Sequence, residues 1–273
     1  MKLLLTGMYS TYKLAKKYFR YYFTAANGKG HGIHSPFVFD FIKNVLQDKK
    51  QYDCYGKIEK LRSELLQNKT LIEVEDRGAG SSVILSKNRR VVKDIAGSSL
   101  KNKKFAQLFF RQVKYYKPQT IVELGTSFGI TTSYMAFGNP ISAVYTLEGA
   151  GHIAQIAQNN FDKLELQNVH LIRGDFNETL PALLQKINKV DFVFVDGNHL
   201  KTPTLQYFNW LLEKSSGQSI FIFDDIHWSA EMEEAWEQIQ HHTAVNLTID
   251  LFFVGLVFFN KDFKAKQHFV IRF

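Results

Sequence analysis

A strand-like run followed by a glycine-containing loop decides the fold of this 273-residue chain: Thr120-Ile121-Val122-Glu123-Leu124-Gly125-Thr126-Ser127-Phe128-Gly129. The first five residues are rich in the apolar, β-branched types that predict a buried strand. Gly125 permits a tight turn, and Gly129 permits close approach of a ligand or of a helix backbone. The loop lacks the third glycine of the dinucleotide-binding pattern and the Gly-Lys-Ser/Thr of a triphosphate-binding loop. The stretch therefore predicts a strand–loop–helix unit with a different ligand.

Four more apolar, strand-like runs follow, and each is succeeded by a helix-compatible stretch. The runs are 141–147, 168–173, 190–195 and 219–223. Five such alternations predict an α/β fold, Rossmann-like and doubly wound, with a mostly parallel seven-stranded sheet. Residues 244–260 have strand composition but no helix between their halves, so we expect a C-terminal antiparallel hairpin that turns near residues 253–255.

The part before this unit is basic and mainly helical. Residues 1–105 hold 21 Lys/Arg against 9 Asp/Glu, whereas residues 106–273 hold 13 against 17. We predict two domains: residues 1–101, a helical extension or lid with a short strand–turn segment, and residues 102–273, the strand–helix domain. The charge fits an anionic partner or simply a solvated helical face. No nucleic-acid-binding motif accompanies it.

The composition excludes several protein classes. With 45% hydrophobic and 22% charged residues, the chain is of the globular type. Its longest apolar run, 251–259, is about half of the ~20 residues that a membrane-spanning helix needs. The apolar run at residues 3–5 ends too early for a secretory signal. A single cysteine, Cys54, allows no internal disulfide. We therefore expect a soluble cytoplasmic protein without a transmembrane segment.

Acidic residues stand at or beside the ends of all five predicted strands. They are Glu123, Glu148, Asp175, Asp196 and the pair Asp224-Asp225. In an open parallel sheet, ligands bind at the carboxyl ends of the strands. Each acid taken singly is also a common cap of the following helix. Together, however, carboxylates at one edge repel one another, which predicts a bound cation or polar ligand.

These motifs together resemble the class I S-adenosylmethionine-dependent methyltransferases, in the subgroup related to catechol-type O-methyltransferases. The resemblance covers most of residues 102–260. In that family the corresponding positions hold the cofactor, so S-adenosylmethionine is the implied ligand. It implies that Glu148 binds the ribose hydroxyls and that Asp175 contacts the adenine amino group. The implied cofactor-binding residues are Glu123, Gly125, Thr126, Ser127, Gly129, Glu148, Asp175, Phe176 and Asp196.

The same resemblance implies a divalent metal, Mg²⁺ or Mn²⁺, held by Asp196, Asp224 and Asp225. The family carries Asp-Asn at the last two places, so Asp225 departs from its pattern. Adjacent strand residues point to opposite faces, so both acids bind one ion only if the strand has ended. In the metal-free alternative, Asp196 shapes the cofactor pocket and the Asp224-Asp225 pair caps the next helix.

His199 stands where the related enzymes carry a catalytic lysine. A histidine can accept a proton from a hydroxyl at neutral pH, so His199 and Asp196 are the predicted catalytic residues. The alternative is a loop histidine that bonds to backbone. We also expect His227 and Trp228 to line the acceptor side, the alternative being caps of a surface helix.

The expected reaction is methyl transfer to a hydroxyl oxygen of a small molecule, assisted by a metal. The N-terminal helices would form a lid, with His31, His34 and Phe37 as its candidate residues. A macromolecular acceptor such as RNA, gripped by the basic part, and a non-catalytic binding module are the alternatives. A homodimer through the aromatic-rich helix at 8–24 is a further expectation. The glycine-containing segment 75–80 is interpreted as a turn.

Overall fold

The computed structural model describes residues 8–30, 33–75, 87–263 and 265–273. His31 and most of the predicted turn at 75–80 lie outside these ranges. The N-terminal part is mainly helical, as expected, with one antiparallel hairpin. Its elements are α1 Thr11–Thr24, α2 Pro36–Phe41 continued by a π-helical turn Ile42–Leu46, α3 Asp53–Gln67, β1 Leu71–Glu75, β2 Lys87–Val91 and α4 Val92–Ser99.

Local capping explains where the first two helices begin. The side chains of Ser10 and Ser35 accept hydrogen bonds from the amides of Lys13 and Val38, and Pro36 occupies the first position of α2. These are the residue types that satisfy free N–H groups at a helix start. Helix α4 was not predicted, because its eight residues include a glycine and two serines, which are weak helix formers.

The rest of the chain alternates strands and helices as predicted. A helix, α5 Lys103–Tyr116, leads into it. The elements that follow are β3 Thr120–Leu124, α6 Ile130–Gly138, β4 Ala143–Glu148, α7 Gly151–Lys163, β5 Val169–Arg173, α8 Phe176–Lys186, β6 Phe192–Val195, α9 Lys201–Leu212, β7 Ile220–Asp224, α10 Ala230–His241, β8 Leu247–Asp250, β9 Val254–Phe258 and β10 Gln267–Val270. Strands β6 and β7 are buried throughout, as strands covered on both faces should be.

The sheet has eight strands in the order β10-β8-β9-β7-β6-β3-β4-β5. Strands β3, β4 and β5 pair in parallel, as do β6 and β7, whereas β9 is antiparallel to both β7 and β8. The fold class is therefore confirmed, and strand β10, parallel to β8, adds one strand to the predicted seven. The hairpin turns at residues 251–253, two residues earlier than predicted, because Phe252 adopts φ 70° and its amide donates to the Asp250 carboxylate at 2.7 Å.

Contacts divide the chain into two compact units. The first unit comprises Met1–Gln47 and Lys189–Phe273, and the second comprises Asp48–Asn188. In the second unit, Ile58 and Leu61 of α3 share a core with Phe110 of α5 and Tyr134 of α6. The division into residues 1–101 and 102–273 stays a prediction about domain roles. In the described ranges, no helix is both long enough and apolar enough to cross a membrane.

Candidate functional site

The loop after β3 has a backbone that only a few residue types adopt readily. Gly125, Ser127 and Gly129 all have positive φ, at 98°, 48° and 79°. A side chain at Gly129 would place its Cβ 2.4 Å from the ring of Phe161 on α7. The amide of Gly125 donates to the carbonyl of Leu147 on β4 at 3.0 Å. Gly129 is thus required for packing of α7, and Gly125 lets the loop turn beside β4.

Glu148, the last residue of β4, forms a cradle with this loop. Its Oε2 accepts a hydrogen bond from the amide of Ser127 at 2.9 Å, and its Oε1 accepts one from the amide of Ala150 at 3.0 Å. Burial raises the pKa of Glu148, and these backbone donors oppose the rise. A carboxylate offers about four acceptor positions, so its two oxygens can also receive two neighbouring hydroxyl groups. The cradle therefore fits the ribose diol of S-adenosylmethionine.

Glu123 lies behind the loop in a group that we call the hydroxyl cluster: Glu123, Thr126, Thr132 and Thr146. Oε2 of the fully buried Glu123 accepts from Thr132 Oγ1 at 2.5 Å and from Thr146 Oγ1 at 2.6 Å. Thr146 Oγ1 is in turn 2.6 Å from Thr126 Oγ1. Burial raises the pKa of Glu123 to about 8, so its neutral form predominates at pH 7. Glu123 therefore holds Thr126 through hydroxyl groups and presents little charge.

Asp175 and Phe176 begin helix α8. The Asp175 carboxylate accepts from the amide of Asn177 at 2.7 Å, which makes it the N-cap. Phe176 is the first helical residue and is half-buried. The capping interpretation of Asp175 is thus confirmed, and the adenine contacts of both residues stay predictions.

Ser99, a residue that sequence reasoning missed, contacts the glycine loop. Its Oγ lies 2.8 Å from Ser127 Oγ and donates to the carbonyl of Ile95 at 2.9 Å. Ser99 is the last residue of α4, so the chain before residue 102 contributes to the surroundings of the cradle. No sequence motif marks Ser99, because only the packing of α4 brings it there.

The first unit places a histidine between two of the predicted acids. His199 Nε2 lies 3.6 Å from Asp196 Oδ1, and His199 Nδ1 lies 4.0 Å from Asp225 Oδ2. Asn198, His199 and Asp225 have positive φ values of 64°, 20° and 53°. Such backbone is rare outside glycine and concentrates at functional sites. The alternative interpretation of His199 as a loop histidine bonded only to backbone is therefore incomplete, because two carboxylates face its ring.

The metal hypothesis has mixed support in this unit. Strand β7 ends at the buried Asp224. Asp225 therefore lies outside the strand, and the rule that adjacent strand residues point to opposite faces does not apply to this pair. However, the ring of His199 lies between Asp196 and Asp225, and no group of three His, Cys, Asp or Glu among the described residues could hold a metal ion. The ligand set Asp196, Asp224 and Asp225 stays a prediction. The capping alternative is wrong, because Ser229 caps α10 through the amide of Met232.

His227 belongs to a second group, the charge cluster: Tyr9, Lys17, His227, Glu233 and Asp250. His227 Nδ1 is 2.9 Å from Glu233 Oε1, and its Nε2 is 2.7 Å from Asp250 Oδ2. Lys17 Nζ and Tyr9 OH donate to Glu233 at 2.8 and 2.7 Å. Burial lowers the pKa of His227, but the two carboxylates outweigh burial and raise it overall. The prediction that His227 caps a surface helix is therefore wrong.

A small pocket adjoins the charge cluster within the first unit. It is lined by one carboxylate, one imidazole and four apolar side chains, namely Asp225, His227, Leu14, Trp228, Phe252 and Phe253. His227 and Trp228 both line this pocket, and their place on the acceptor side stays a prediction. Leu14 of α1 also lines the pocket. The lid role predicted for Phe37 is wrong. Phe37 packs on Phe258, which pairs with Ile220 at the end of β7 opposite to Asp224. His34 is exposed.

The mostly parallel sheet with its antiparallel β9 gives this chain the Rossmann-like fold of class I methyltransferases. A family profile described as a methyltransferase domain matches residues 122–226. This match confirms the resemblance to S-adenosylmethionine-dependent methyltransferases and spans β3 to the loop after β7.

Solved methyltransferase structures share the fold at low sequence identity. An O-methyltransferase from Bacillus cereus in complex with S-adenosylhomocysteine is 17% identical, with a TM-score of 0.56 over 81% of this chain and 97% of that chain. The S-adenosylhomocysteine-bound methyltransferase PaMTH1 of Podospora anserina is 13% identical, with a TM-score of 0.58 over 82% and 96%. At these identities, the similarity shows the fold alone.

The curated relative is a tRNA (guanine-N(7)-)-methyltransferase of Mycoplasma mobile. It is 32% identical over 80 residues, which are 29% of this chain. The match spans 40% of the relative's own length.

Proposed function

We propose that this chain transfers the methyl group of S-adenosylmethionine to a hydroxyl oxygen of a small molecule. The observation that carries the proposal is the Glu148 carboxylate, which the amides of Ser127 and Ala150 hold at the end of β4. Fixing a carboxylate in this way prepares it to receive two vicinal hydroxyls without further ordering. The O-methyltransferase of Bacillus cereus, which has the same fold, was solved with the demethylated cofactor and supports this choice.

Each candidate site residue has a proposed role in binding the cofactor or in transferring the proton. S-adenosylmethionine, when bound, supplies an activated methyl group on its sulfonium. Glu148 accepts hydrogen bonds from the ribose, Thr126 and Ser127 hold the loop, and Asp175 and Phe176 contact the adenine. His199 takes the proton of the acceptor hydroxyl, because a neutral imidazole has one ring nitrogen that accepts a proton. Asp196 and Asp225, at 3.6 and 4.0 Å from its ring, then stabilise the imidazolium.

The pocket beside the charge cluster carries groups that suit one end of the acceptor. Leu14, Phe252 and Phe253 line it with apolar surface, and the Asp225 carboxylate in the same pocket can accept a hydrogen bond from a hydroxyl. The pocket is too small to enclose a whole ligand, so we expect it to contact only one apolar group and one hydroxyl of the acceptor.

Calorimetry with S-adenosylmethionine tests the cradle. The change Glu148→Ala should weaken binding about 100-fold, because two hydrogen bonds to a charged group are lost at about 1.5 kcal/mol each. Glu237→Ala, at an exposed position of α10, is the matched control and should leave affinity unchanged. An unchanged affinity in Glu148→Ala would contradict the assignment. Absence of binding by the unaltered chain would favour the non-catalytic alternative.

Turnover with labelled methyl donor and a set of phenolic and aliphatic alcohols tests the reaction. His199→Gln should lower kcat more than it raises KM, since the residue is assigned to proton transfer. Mg²⁺ assistance at Asp196, Asp224 and Asp225 is the metal-dependent form of the proposal. Activity that survives exhaustive chelation would remove that form and leave the His199 assignment standing.

An RNA acceptor is the second candidate, favoured by the partial match to the tRNA methyltransferase. The exposed Arg90 on β2 adds local positive charge in the second unit, whereas Arg89 beside it pairs with Glu73 at 3.6 Å. RNA binding of this kind should weaken steeply with salt, because phosphate contacts release counterions. Methyl transfer to bulk tRNA together with none to small alcohols would replace the first proposal by this one.

A further inference from the structure

The outer face of helix α1 exposes large aromatic rings. Tyr12, Phe19 and Phe23 are 80%, 62% and 76% exposed. With Lys16 they occupy positions i, i+4, i+7 and i+11, which lie on one side of a helix. Arg20 is exposed beside them. We call these five residues the outer face of α1. Aromatic side chains at this exposure are rare as a contiguous group and mark an interaction surface.

The inner face of the same helix is fixed to the first unit. Tyr21 is buried, and its hydroxyl donates to the carbonyl of Ile271 at 2.5 Å. The ring of Tyr18 meets that of Phe252 edge to face, with ring centroids 5.0 Å apart, and Lys17 Nζ pairs with Glu233 Oε1 at 2.8 Å. The helix is thus held in one orientation by several independent contacts. The outer face of α1 therefore stays exposed, because these contacts prevent the helix from rotating to bury it.

The helix is also strongly cationic. Its 14 residues include Lys13, Lys16, Lys17 and Arg20 and contain no Asp or Glu. Lys13 lies 3.8 Å from the ring centre of Tyr9. Lys17 is neutralised by Glu233, which leaves Lys16 and Arg20 as the cations of the outer face. Aromatic rings interleaved with cations are the composition of helices that lie in the interface of a bilayer.

We propose that the outer face of α1 docks this protein on an anionic phospholipid surface. The rings of Tyr12, Phe19 and Phe23 would enter the headgroup region, and Lys16 and Arg20 would contact lipid phosphate and carboxylate groups. Charge complementarity favours this occupant over a second copy of the chain. A two-fold contact through the same face would place its cations near those of the partner, and like charges repel. The proposal is independent of the methyl-transfer function.

Sedimentation of the full chain with lipid vesicles tests the proposal. One vesicle is phosphatidylcholine alone, and in the other a third of the lipid is phosphatidylserine. We expect preferential binding to the anionic vesicle. The double change Lys16→Gln and Arg20→Gln should weaken that binding about 25-fold, since each cation near an anionic surface contributes about fivefold. The triple change of Tyr12, Phe19 and Phe23 to Gln should weaken it at least about tenfold.

Matched variants separate this face from general charge and apolarity. Lys57→Gln with Lys60→Gln on α3, and Ile141→Ser at an 87% exposed position, should change vesicle binding less than about twofold. Melting temperatures and circular dichroism verify that all variants fold. No binding of the unaltered chain to anionic vesicles would overturn the proposal. Vesicle binding that the α1 variants leave intact would also overturn it. A chain that does not bind vesicles, and whose dimer or RNA binding is lost in the α1 variants, would overturn it as well.

Discussion

The fully buried Glu123 of the second unit and the half-buried Glu233 of the first unit face different groups. In the hydroxyl cluster, Glu123 meets only threonine hydroxyls, and burial raises its pKa to about 8. In the charge cluster, burial also acts to raise the pKa of Glu233, but Lys17, Tyr9 and His227 outweigh it and lower the pKa overall. The threonine hydroxyls do not offset the complete burial of Glu123, whereas the cations Lys17 and His227, with the Tyr9 hydroxyl, offset the partial burial of Glu233.

This difference separates two uses of an acid. A carboxyl group that stays neutral can hold a loop from within the core without repelling a nearby carboxylate. Glu148 is such a neighbour, and its charge contributes to the raised pKa of Glu123. Carboxylates that stay charged can join distant segments: Glu233 of α10 holds Lys17 of α1, and Asp250 of β8 holds His227. Three substitutions or titrations test the contrast.

The largest effect is expected from Asp250→Asn. The change removes one of the two negative charges that flank the half-buried imidazolium of His227, and Asp250 itself is only 6% exposed. We expect a loss of about 3 kcal/mol in the free energy of unfolding, measured by urea denaturation at pH 6. Asp262→Asn, at an exposed position, is the control and should stay within about 0.5 kcal/mol. A similar small effect at Asp250 would show that charge pairing does not stabilise this cluster.

The pH dependence of stability should have opposite signs at Glu123 of the hydroxyl cluster and Glu233 of the charge cluster. The pKa of Glu123 rises from 4.5 to about 8 on folding, so its contribution to the free energy of unfolding falls as pH rises across that interval, by up to about 1.4 kcal/mol per pH unit. The lowered pKa of Glu233 makes its contribution present above about 4.5 and lost as pH falls through its folded value. The raised pKa of His227 makes its contribution full below 6.5 and lost as pH rises through its folded value.

Urea denaturation at a series of pH values measures these slopes. Wild type and Glu123→Gln should converge or cross as pH rises from 5 to 8, because the variant lacks the titrating group. A constant difference between the two proteins over that interval would mean that Glu123 does not change protonation there. His227→Gln should make the loss of stability above pH 6.5 less steep, because the His227 contribution is removed and the Glu123 contribution remains.

The smallest effect is expected from Glu123→Gln at pH 4. Because Glu123 is neutral there in both the folded and the unfolded protein, the amide replaces a neutral acid of the same shape, and its oxygen can still accept from Thr132 and Thr146. We expect a change in the free energy of unfolding of about 1 kcal/mol or less. A loss as large as that of Asp250→Asn would indicate an ionised Glu123 and would remove the distinction between the clusters. Thermal melting at the same pH provides an independent measurement.

Sequence reasoning located the strands well, because the signal for each strand lies inside the strand. The predicted run at 120–124 coincides with β3, and the other four runs end within one residue of the strands found. Strand β10 was missed, because its four residues alternate between exposed and half-buried and carry no continuous apolar run. The role of Gly129 was only partly foreseen, since its neighbour Phe161 lies 32 residues away.

Some features of the candidate site could also be predicted from the sequence, and others only from the structure. The acids at the strand ends and the turn at Gly125 follow from residue type and local spacing, and so does the class of fold that they indicate. The charge state of Glu123, the place of His199 between two carboxylates, and the joining of Lys17 to Glu233 across 216 positions follow from burial and from distances between remote residues. Solvation and Coulomb energies depend on those distances, and a linear order of residues does not contain them.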